Sequence, residues 1–243
     1  MRVFLKIEYD GTEYCGWQIQ PNALTVQQKI EESITRLTGE SVSVTGSGRT
    51  DSGVHALGQI AHFDTQSTIP AEKFSSALNQ FLPSDVKVVE SWQVKGDLHA
   101  RYSAKRKTYR YKLYLSKNAR PLMDRYMARV DFNLDIGAMQ TACEKFVGKH
   151  DFACFLASGS EVKDTVREIY FAKIDRQGEE ITFTVCGNGF LYNMVRIMVG
   201  TLVKVGMGKL KAEEVGEILL SGDRKRAGIT MPPQGLTLVS VEY

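Results

Sequence analysis

The order in which strand-like and helix-like segments follow one another in the first half of the chain constrains its fold most. The chain opens with strand-like alternation in RVFLKIEY, which puts Val3, Leu5 and Ile7 on one face. A helical repeat of apolar residues follows, between a possible N-cap at Thr25 and a glycine stop at Gly39. The strand-like segments SVSVTG and GQIAHFDT, a helical segment and the strand-like DVKVVESWQV come next. This β-α-β-β-α-β order predicts a ferredoxin-like, split βαβ unit.

The second half of the chain repeats this order loosely. It reads as the strand KTYRYKLYLS, the helix LDIGAMQTACEKFVG, the hairpin strands TVREIYFAKIDRQ and EEITFTVCGNGF, the helices LYNMVRIMVGTLVKVG and AEEVGEILLSG, and the strand LTLVSVEY. No Pro/Ser-rich linker separates the halves, and the boundary is placed near Lys105. The sequence therefore predicts an α+β protein with an N-terminal subdomain over 1–104 and a C-terminal subdomain over 105–243, sharing a cleft.

Positive charge is concentrated in one stretch of the chain. The formal net charge is only +3, but residues 98–123 carry eight Lys or Arg and no Asp or Glu. Outside that stretch 23 basic residues face 28 acidic ones. A local cluster of basic residues is typical of a surface that binds a polyanion. The alternative is a charged, solvent-exposed strand that binds no ligand. The candidate RNA-contacting cations are Arg101, Lys105, Arg106, Lys107 and Arg110.

Cysteine usage and hydrophobicity favour a soluble, cytoplasmic protein. The four cysteines show no CxxC pairing and no zinc-like spacing to histidines, which fits free thiols in a reducing compartment. The N-terminal MRVFLKIEYDG reads as a strand and not as a signal peptide. No apolar run approaches the ~20 residues of a membrane span.

A glycine-rich loop holds a single acid whose purpose has to be explained. Residues 46–53 read GSGRTDSG, and the acid is Asp51. A surface loop can use such an Asp to cap a turn, whereas a catalytic loop holds it on a tight backbone beside a cation. The loop lacks the third glycine of GxGxxG, and no GK[ST] follows, so it is not a Walker A loop. His55 and His62 have no second carboxylate at ligand spacing, so no metal site is predicted.

A long apolar helix contains one unexplained charge. Within residues 189–203 the only Lys, Arg, Asp or Glu is Arg196. Few faces of such a helix can be exposed, so we expect this arginine to be at least partly buried and to need an acceptor. Asp51 is the attractive partner, because an arginine beside it favours the ionised carboxylate that a nucleophile needs. The alternative is that Arg196 reaches water along its aliphatic stem.

The basic stretch also contains tyrosines at strand spacing. Tyr109 and Tyr111 share one face of KTYRYKLYLS, while Arg110 and Lys112 point to the other. An aromatic ring flanked by positive charge suits stacking on a base that has been extracted from its helix. The pattern supports core packing of both tyrosines equally well.

Four ordered segments resemble the tRNA pseudouridine synthase A family. They are IEYDGTEYCGWQIQ, GSGRTDSGVHALGQIAHFDT, LHARYSAKRKTYRYKLY and FLYNMVRIMVGTLVKVG, and they span most of the chain. The resemblance implies two ferredoxin-like halves sharing an extended, mostly antiparallel sheet, with helices on one face and a central catalytic cleft. It also implies a homodimer that converts uridine to pseudouridine at positions 38, 39 and 40 of the tRNA anticodon stem-loop, without cofactor or metal.

The resemblance further implies a role for each of four residues. Asp51 is matched to the catalytic nucleophile and Arg196 to the arginine that pairs with it. Tyr109 is matched to the tyrosine that lines the pocket and contacts the base, and Arg49 to the arginine associated with extraction of the target nucleotide. Whether the carboxylate attacks C6 of uracil or acts at C1′ of ribose stays open.

Two other functions compete with this interpretation. A non-catalytic RNA-binding protein with paired RRM-like units would use the Tyr/Lys/Arg strand, but neither half carries an RNP1-like run. A phosphate-transferring enzyme would need a metal site or a phosphate-binding lysine, and the sequence offers neither.

Overall fold

The computed structural model describes residues 1–160 and 162–243 and divides into two compact units. Unit 1 comprises Met1–Lys105 and Thr237–Tyr243, and unit 2 comprises Arg106–Leu236. The sequence prediction assigned everything from 105 to 243 to the second subdomain, so the last strand is placed differently. The reason is a long-range pairing, because Thr237 and Leu238 pair in parallel with His55 and Ala56 of unit 1.

The described residues form ten strands and six α-helices. The strands are β1 (Arg2–Tyr9), β2 (Thr45–Gly46), β3 (His55–Asp64), β4 (Val86–Val94), β5 (Arg106–Leu115), β6 (Ala128–Val130), β7 (Gly148–Asp151), β8 (Val166–Gln177), β9 (Glu180–Gly187) and β10 (Leu236–Glu242). The helices are α1 (Val26–Thr38), α2 (Phe74–Leu78), α3 (Pro121–Asp124), α4 (Ile136–Glu144), α5 (Met194–Gly206) and α6 (Glu214–Ser221). Among these described helices, none combines the length and hydrophobicity needed to cross a membrane.

The strands of unit 1 are ordered β4-β1-β3-β10, and β2 pairs with β3. The β1–β3, β1–β4 and β2–β3 pairs are antiparallel, and only β10 runs parallel to β3. The predicted caps of α1 are confirmed: the Thr25 side chain accepts a hydrogen bond from the Gln28 N–H, and Gly39 adopts φ 77°. Prediction and structure agree here because both caps depend on local residues alone.

Both faces of β1 are covered in unit 1. Val3, Leu5 and Ile7 are fully buried, as their alternation predicts. Phe4 points to the opposite face and is fully buried as well, in a cluster with Ile60 and Ala100. The partly buried side chains that pack on this cluster are Trp92, Val94, Leu98, Val241 and Tyr243.

The strands of unit 2 are ordered β5-β9-β8-β7, all antiparallel, and β6 adds to β5 in parallel. The α+β class with mostly antiparallel pairing is thus confirmed within each unit. The short β6 and β7 were not predicted, because three or four residues are too few to show an alternation. The predicted strand SVSVTG is reduced to Thr45–Gly46.

The apolar helix of unit 2 starts later than the sequence pattern indicates. We predict a helix from LYNM onwards, but α5 begins at Met194. Asn193 has φ 60°, a left-handed conformation that cannot lie inside a right-handed helix. Ten of the thirteen α5 residues are buried, so this helix belongs to the core of its unit.

Candidate active site

Asp51 lies in unit 1, on the loop that connects β2 to β3, and its side chain is half-buried. The loop is bound to the YDGTEYCGW segment by backbone contacts. The Trp17 N–H donates to Thr50 O at 3.1 Å, and the Gly53 N–H donates to Tyr14 O at 3.3 Å. The Val54 N–H closes the turn onto Asp51 O at 3.1 Å. The carboxylate therefore stands on a backbone that is fixed on both sides.

Two glycines outside the loop make this close approach possible. A Cβ on Gly16 would stand 2.4 Å from Thr50 O, and a Cβ on Gly11 would stand 2.0 Å from Val54 O. Gly16 also has φ +87°, which a side chain would strain. The sequence predicted that glycines around Asp51 allow a close approach; the structure shows that glycines of IEYDGTEYCGWQIQ are also needed, which the spacing of GRTDSG does not reveal.

We expect Gly16→Ala to lose about 3 kcal/mol or more of unfolding free energy, because left-handed strain and a backbone clash coincide there. Gly39→Ala is the matched control, since Gly39 has φ +77° but no atom within 4 Å of its Cβ position. The control should lose only about 1 kcal/mol. Urea unfolding of both variants measures the difference, and equal losses would show that the approach of the two segments is not tight.

Buried polar groups hold the other end of the Asp51 loop. The Ser47 hydroxyl donates to Gln59 Oε1 at 2.6 Å, and Gln59 Nε2 donates to Gly48 O at 2.8 Å. The Tyr9 and Thr50 hydroxyls share a hydrogen bond of 2.7 Å. Burial raises the pKa of Tyr9 well above its usual value, so this phenol is a neutral structural group.

His55 connects the end of the Asp51 loop to the IEYDGTEYCGWQIQ segment. It is buried, and its Nδ1 accepts a hydrogen bond from the Gly11 N–H at 3.0 Å. Asp10 Oδ1 lies 3.2 Å from the same nitrogen. Within the part of the chain that the structure describes, no three His, Cys, Asp or Glu side chains are grouped as ligands for a metal ion.

Arg49 is exposed on the same loop, two residues before Asp51. Within residues 1–160 and 162–243 its guanidinium takes no hydrogen bond or ion pair. A guanidinium in water is a suitable phosphate ligand. Its predicted role in extracting the nucleotide stays a prediction.

Tyr109 lies in unit 2, on β5 opposite Val185 of β9. Its side chain is 8% exposed, and its ring meets the edge of Phe190 at a centroid distance of 5.1 Å. Tyr111 is fully buried, and its hydroxyl donates to Pro232 O at 2.6 Å. Both tyrosines are buried, as core packing predicts. Stacking of a base on Tyr109 stays a prediction.

Arg196 lies in the first turn of α5 and is half-buried. Its Nε donates to Met231 O at 2.6 Å, and its Nη1 donates to Asn193 Oδ1 at 2.6 Å. Its positive charge favours ionisation of the Tyr111 phenol, although burial dominates and the pKa of Tyr111 is raised. The predicted partial burial is confirmed, and these two acceptors were not foreseen. The pairing with Asp51, which would join residues of the two units, stays a prediction.

The five candidate RNA-contacting cations differ in exposure. Arg101 and Lys105 of unit 1 and Arg106 of unit 2 are exposed, whereas Lys107 and Arg110 are half-buried. The Arg106 guanidinium lies 4.9 Å from the ring centroid of Tyr170. Arg110 Nε is buried, and no described residue accepts a hydrogen bond from it.

The cysteines are free thiols, as their spacing predicts. Cys15 is exposed, and Cys143, Cys154 and Cys186 are buried. Burial raises the pKa of Cys143 and of Cys154 to about 12. Those two thiols therefore stay protonated and act as small core residues.

Comparison with known proteins identifies the class to which this site belongs. The sequence profile of the family described as tRNA pseudouridine synthase matches residues 6–103 and 142–243. The matched residues include Arg49, Asp51 and Arg196, whereas Tyr109 lies between the two matched ranges. The chain is of the class of isomerases that form pseudouridine.

Curated relatives are similar over almost their whole length. The chain is 52% identical over 241 residues to the tRNA pseudouridine synthase A of Acetivibrio thermocellus, covering 99% of each. It is 51% identical over 243 residues to that of Ruminiclostridium cellulolyticum, covering 100% of this chain and 99% of the relative. It is 49% identical over 241 residues to that of Caldicellulosiruptor bescii, again covering 99% of each. The chain therefore belongs to the tRNA pseudouridine synthase family.

Proposed function

We propose that this chain pseudouridylates tRNA at positions 38, 39 and 40 of the anticodon stem-loop, with Asp51 as the nucleophile. The observation that carries the proposal is the Asp51 loop: a half-buried carboxylate on a backbone locked between two glycine contacts, in a chain that is similar to tRNA pseudouridine synthase A over its whole length. A turn-capping aspartate would not need such support. The positions within the stem-loop rest on the family resemblance.

The reaction is an isomerisation, so the protein has to cleave, hold and rejoin one ring. The N1–C1′ bond breaks, the uracil turns in place, and a C5–C1′ bond forms. C5 loses a proton and N1 gains one, so nothing is oxidised or reduced. Asp51 acts either by adding to C6 of uracil or by attack at C1′ of ribose, and both routes need the ionised carboxylate.

The remaining candidate residues have supporting jobs in this proposal. Arg196 keeps the Asp51 carboxylate ionised by its opposite charge. Tyr109 is a wall on which the detached ring stacks. Arg49 favours the extracted nucleotide, a conformation that costs a few kcal/mol to reach. The cations from Arg101 to Arg110 contact phosphates and offset part of that cost.

Three further features belong to the proposal because the family resemblance implies them. They are a homodimer, a cytoplasmic location and activity without a cofactor. A non-catalytic RNA-binding function would leave the fixed carboxylate without a purpose, so the isomerase is favoured.

An assay on stem-loop RNA tests the proposed positions. We expect the purified chain to convert the uridines at positions 38, 39 and 40 of an anticodon stem-loop into products that react with carbodiimide and stop primer extension. A stem-loop with cytidine at those three positions is the control and should give no stop. Modification only outside these positions would contradict the proposed site, and absence of any product would contradict the proposed function.

A further inference from the structure

An exposed tyrosine on a fixed turn stands apart from the candidate active site. Tyr102 is 79% exposed, the largest exposure among the aromatic side chains that the structure describes. Tyr102 lies on a turn within the basic stretch of unit 1.

Hydrogen bonds within the turn hold Tyr102 in place. The Ser103 N–H donates to His99 O at 3.0 Å, and the His99 N–H donates to Ser103 Oγ at 3.0 Å. His99 Nδ1 accepts from the N–H groups of Arg101 and Tyr102, at 3.1 and 3.3 Å. Both backbone and side-chain groups therefore close the turn, so its backbone is already ordered before a ligand contacts it.

The turn is also fastened to the core of unit 1. Ala100 is fully buried, its N–H donates to His62 Nδ1 at 3.2 Å, and its carbonyl accepts from the Tyr243 hydroxyl at 2.7 Å. Arg2 Nη1 donates to Leu98 O at 3.0 Å. Burial lowers the pKa of His62 to about 4, so this histidine is a neutral acceptor at physiological pH.

A column of rings leads from the core to Tyr102. Phe4 stacks on His62 with centroids 5.8 Å apart, and His62 meets His99 edge-on at 4.8 Å. His99 lies 4.4 Å from Tyr102, with the ring planes 31° apart. His99 therefore backs one face of the exposed ring, which leaves the tyrosine oriented for a further planar group.

The charges beside this ring select the kind of planar group. The Arg101 guanidinium lies over the Tyr102 ring, 5.7 Å from its centroid. Residues 98–123 contain no acid, although the exposed Asp97 directly precedes them. An exposed ring that carries a cation suits a nucleobase with its phosphate. An apolar protein partner would instead need a continuous apolar patch, and the neighbouring Ala100 and Leu98 are buried or half-buried.

Asp51 and the Tyr102 turn are connected to opposite ends of β3. His62 lies seven residues beyond His55 along β3, and a strand advances about 3.3 Å per residue, which separates the two ends by roughly 23 Å. Asp51 is held beside the His55 end of the strand, because the Val54 N–H donates to Asp51 O at 3.1 Å, and Ala100 of the Tyr102 turn is bonded to His62. A base on Tyr102 is therefore a different nucleotide from the one that reacts.

We propose that Tyr102, backed by His99 and flanked by Arg101, is a stacking platform for an unpaired base of the RNA substrate, remote from the reacting uridine. The inference rests on the proposed function, in that the substrate is tRNA. Because a remote contact is made equally before and during the reaction, it acts on substrate affinity and KM.

The test measures the affinity of an unmodified tRNA transcript for four variants across a range of salt concentrations. Tyr102→Ala should weaken binding about tenfold without changing the slope of log affinity against log salt. Tyr102→Phe keeps the ring and should bind like wild type. Arg101→Gln should reduce the slope by about 0.7 to 0.9, the value for one phosphate contact. Phe132→Ala is the matched control, since Phe132 is another exposed ring beside a cation, Lys209.

Several outcomes would overturn the platform. They are unchanged binding by Tyr102→Ala, an equal loss in Phe132→Ala, and an equal loss in Tyr102→Phe, which would assign the effect to the hydroxyl. In steady-state assays a Tyr102→Ala defect confined to kcat would also overturn it. If wild type forms pseudouridine and Tyr102→Ala binds normally, only the platform fails. If wild type forms no pseudouridine, the proposed function fails, whatever Tyr102 does.

Discussion

Replacing Asp51 by Asn should lower pseudouridine formation by about 10⁴-fold or more while the protein stays folded. The size of the loss is that of removing a nucleophile, because the amide cannot form the covalent intermediate or support charge at C1′. Asn has the same shape, so the contacts that fix the loop, made by backbone atoms of Thr50, Asp51 and Gly53, are retained. Release of tritium from C5-labelled uridine in tRNA measures the reaction.

Two controls separate catalysis from folding and binding in the Asp51 experiment. Asp97→Asn removes the same charge from an exposed position of unit 1 and should keep full activity. The affinity of Asp51→Asn for tRNA and its unfolding transition in urea should both match those of wild type. Full activity in Asp51→Asn would refute the role of Asp51 as the nucleophile. A loss of activity that matches a loss of folded protein would not support that role.

The sequence predicted those features of the fold and the site that depend on neighbours in the chain. Thr25 and Gly39 were identified as caps of α1 because a cap needs only residues within a turn of it. Partial burial of Arg196 followed from the apolar helix around it. Asp51 was singled out because a lone acid among glycines is unusual, and the family motif points to the same residue.

The features that sequence reasoning missed depend on contacts between distant segments. Gly11 and Gly16 support the Asp51 loop through the backbone oxygens of Val54 and Thr50, which carry no signature of their own in the sequence. Arg196 donates to the backbone carbonyl of Met231. Every residue has such a carbonyl, so the sequence does not indicate which one accepts this hydrogen bond. The last strand joins unit 1 through a parallel pairing with β3, and chain order alone gave no sign of that.

Arg196→Ala should reduce both stability and activity. The substitution leaves Met231 O and Asn193 Oδ1 without their donor in a partly buried place, which should cost about 2 to 3 kcal/mol of unfolding free energy. The melting temperature should fall by roughly 5 to 10 °C for a protein of this size. Product formation should fall about 100-fold or more, as for the loss of one electrostatic partner in an active site. Thermal unfolding and tritium release measure the two effects.

The variant Asn193→Gly distinguishes the two proposed roles of Arg196, its charge effect on Asp51 and its hydrogen bonds at the start of α5. Glycine keeps the left-handed conformation that Asn193 adopts at φ 60° before α5, but it removes the acceptor of Nη1. If Arg196 acts on Asp51 by its charge, this variant should lose part of the stability and keep most of the activity, because the guanidinium is still present. If Arg196 only fastens α5 to the segment around Met231, activity in both variants should follow stability. A stable Arg196→Ala protein with wild-type turnover would refute both roles, since neither its hydrogen bonds nor its charge would then matter.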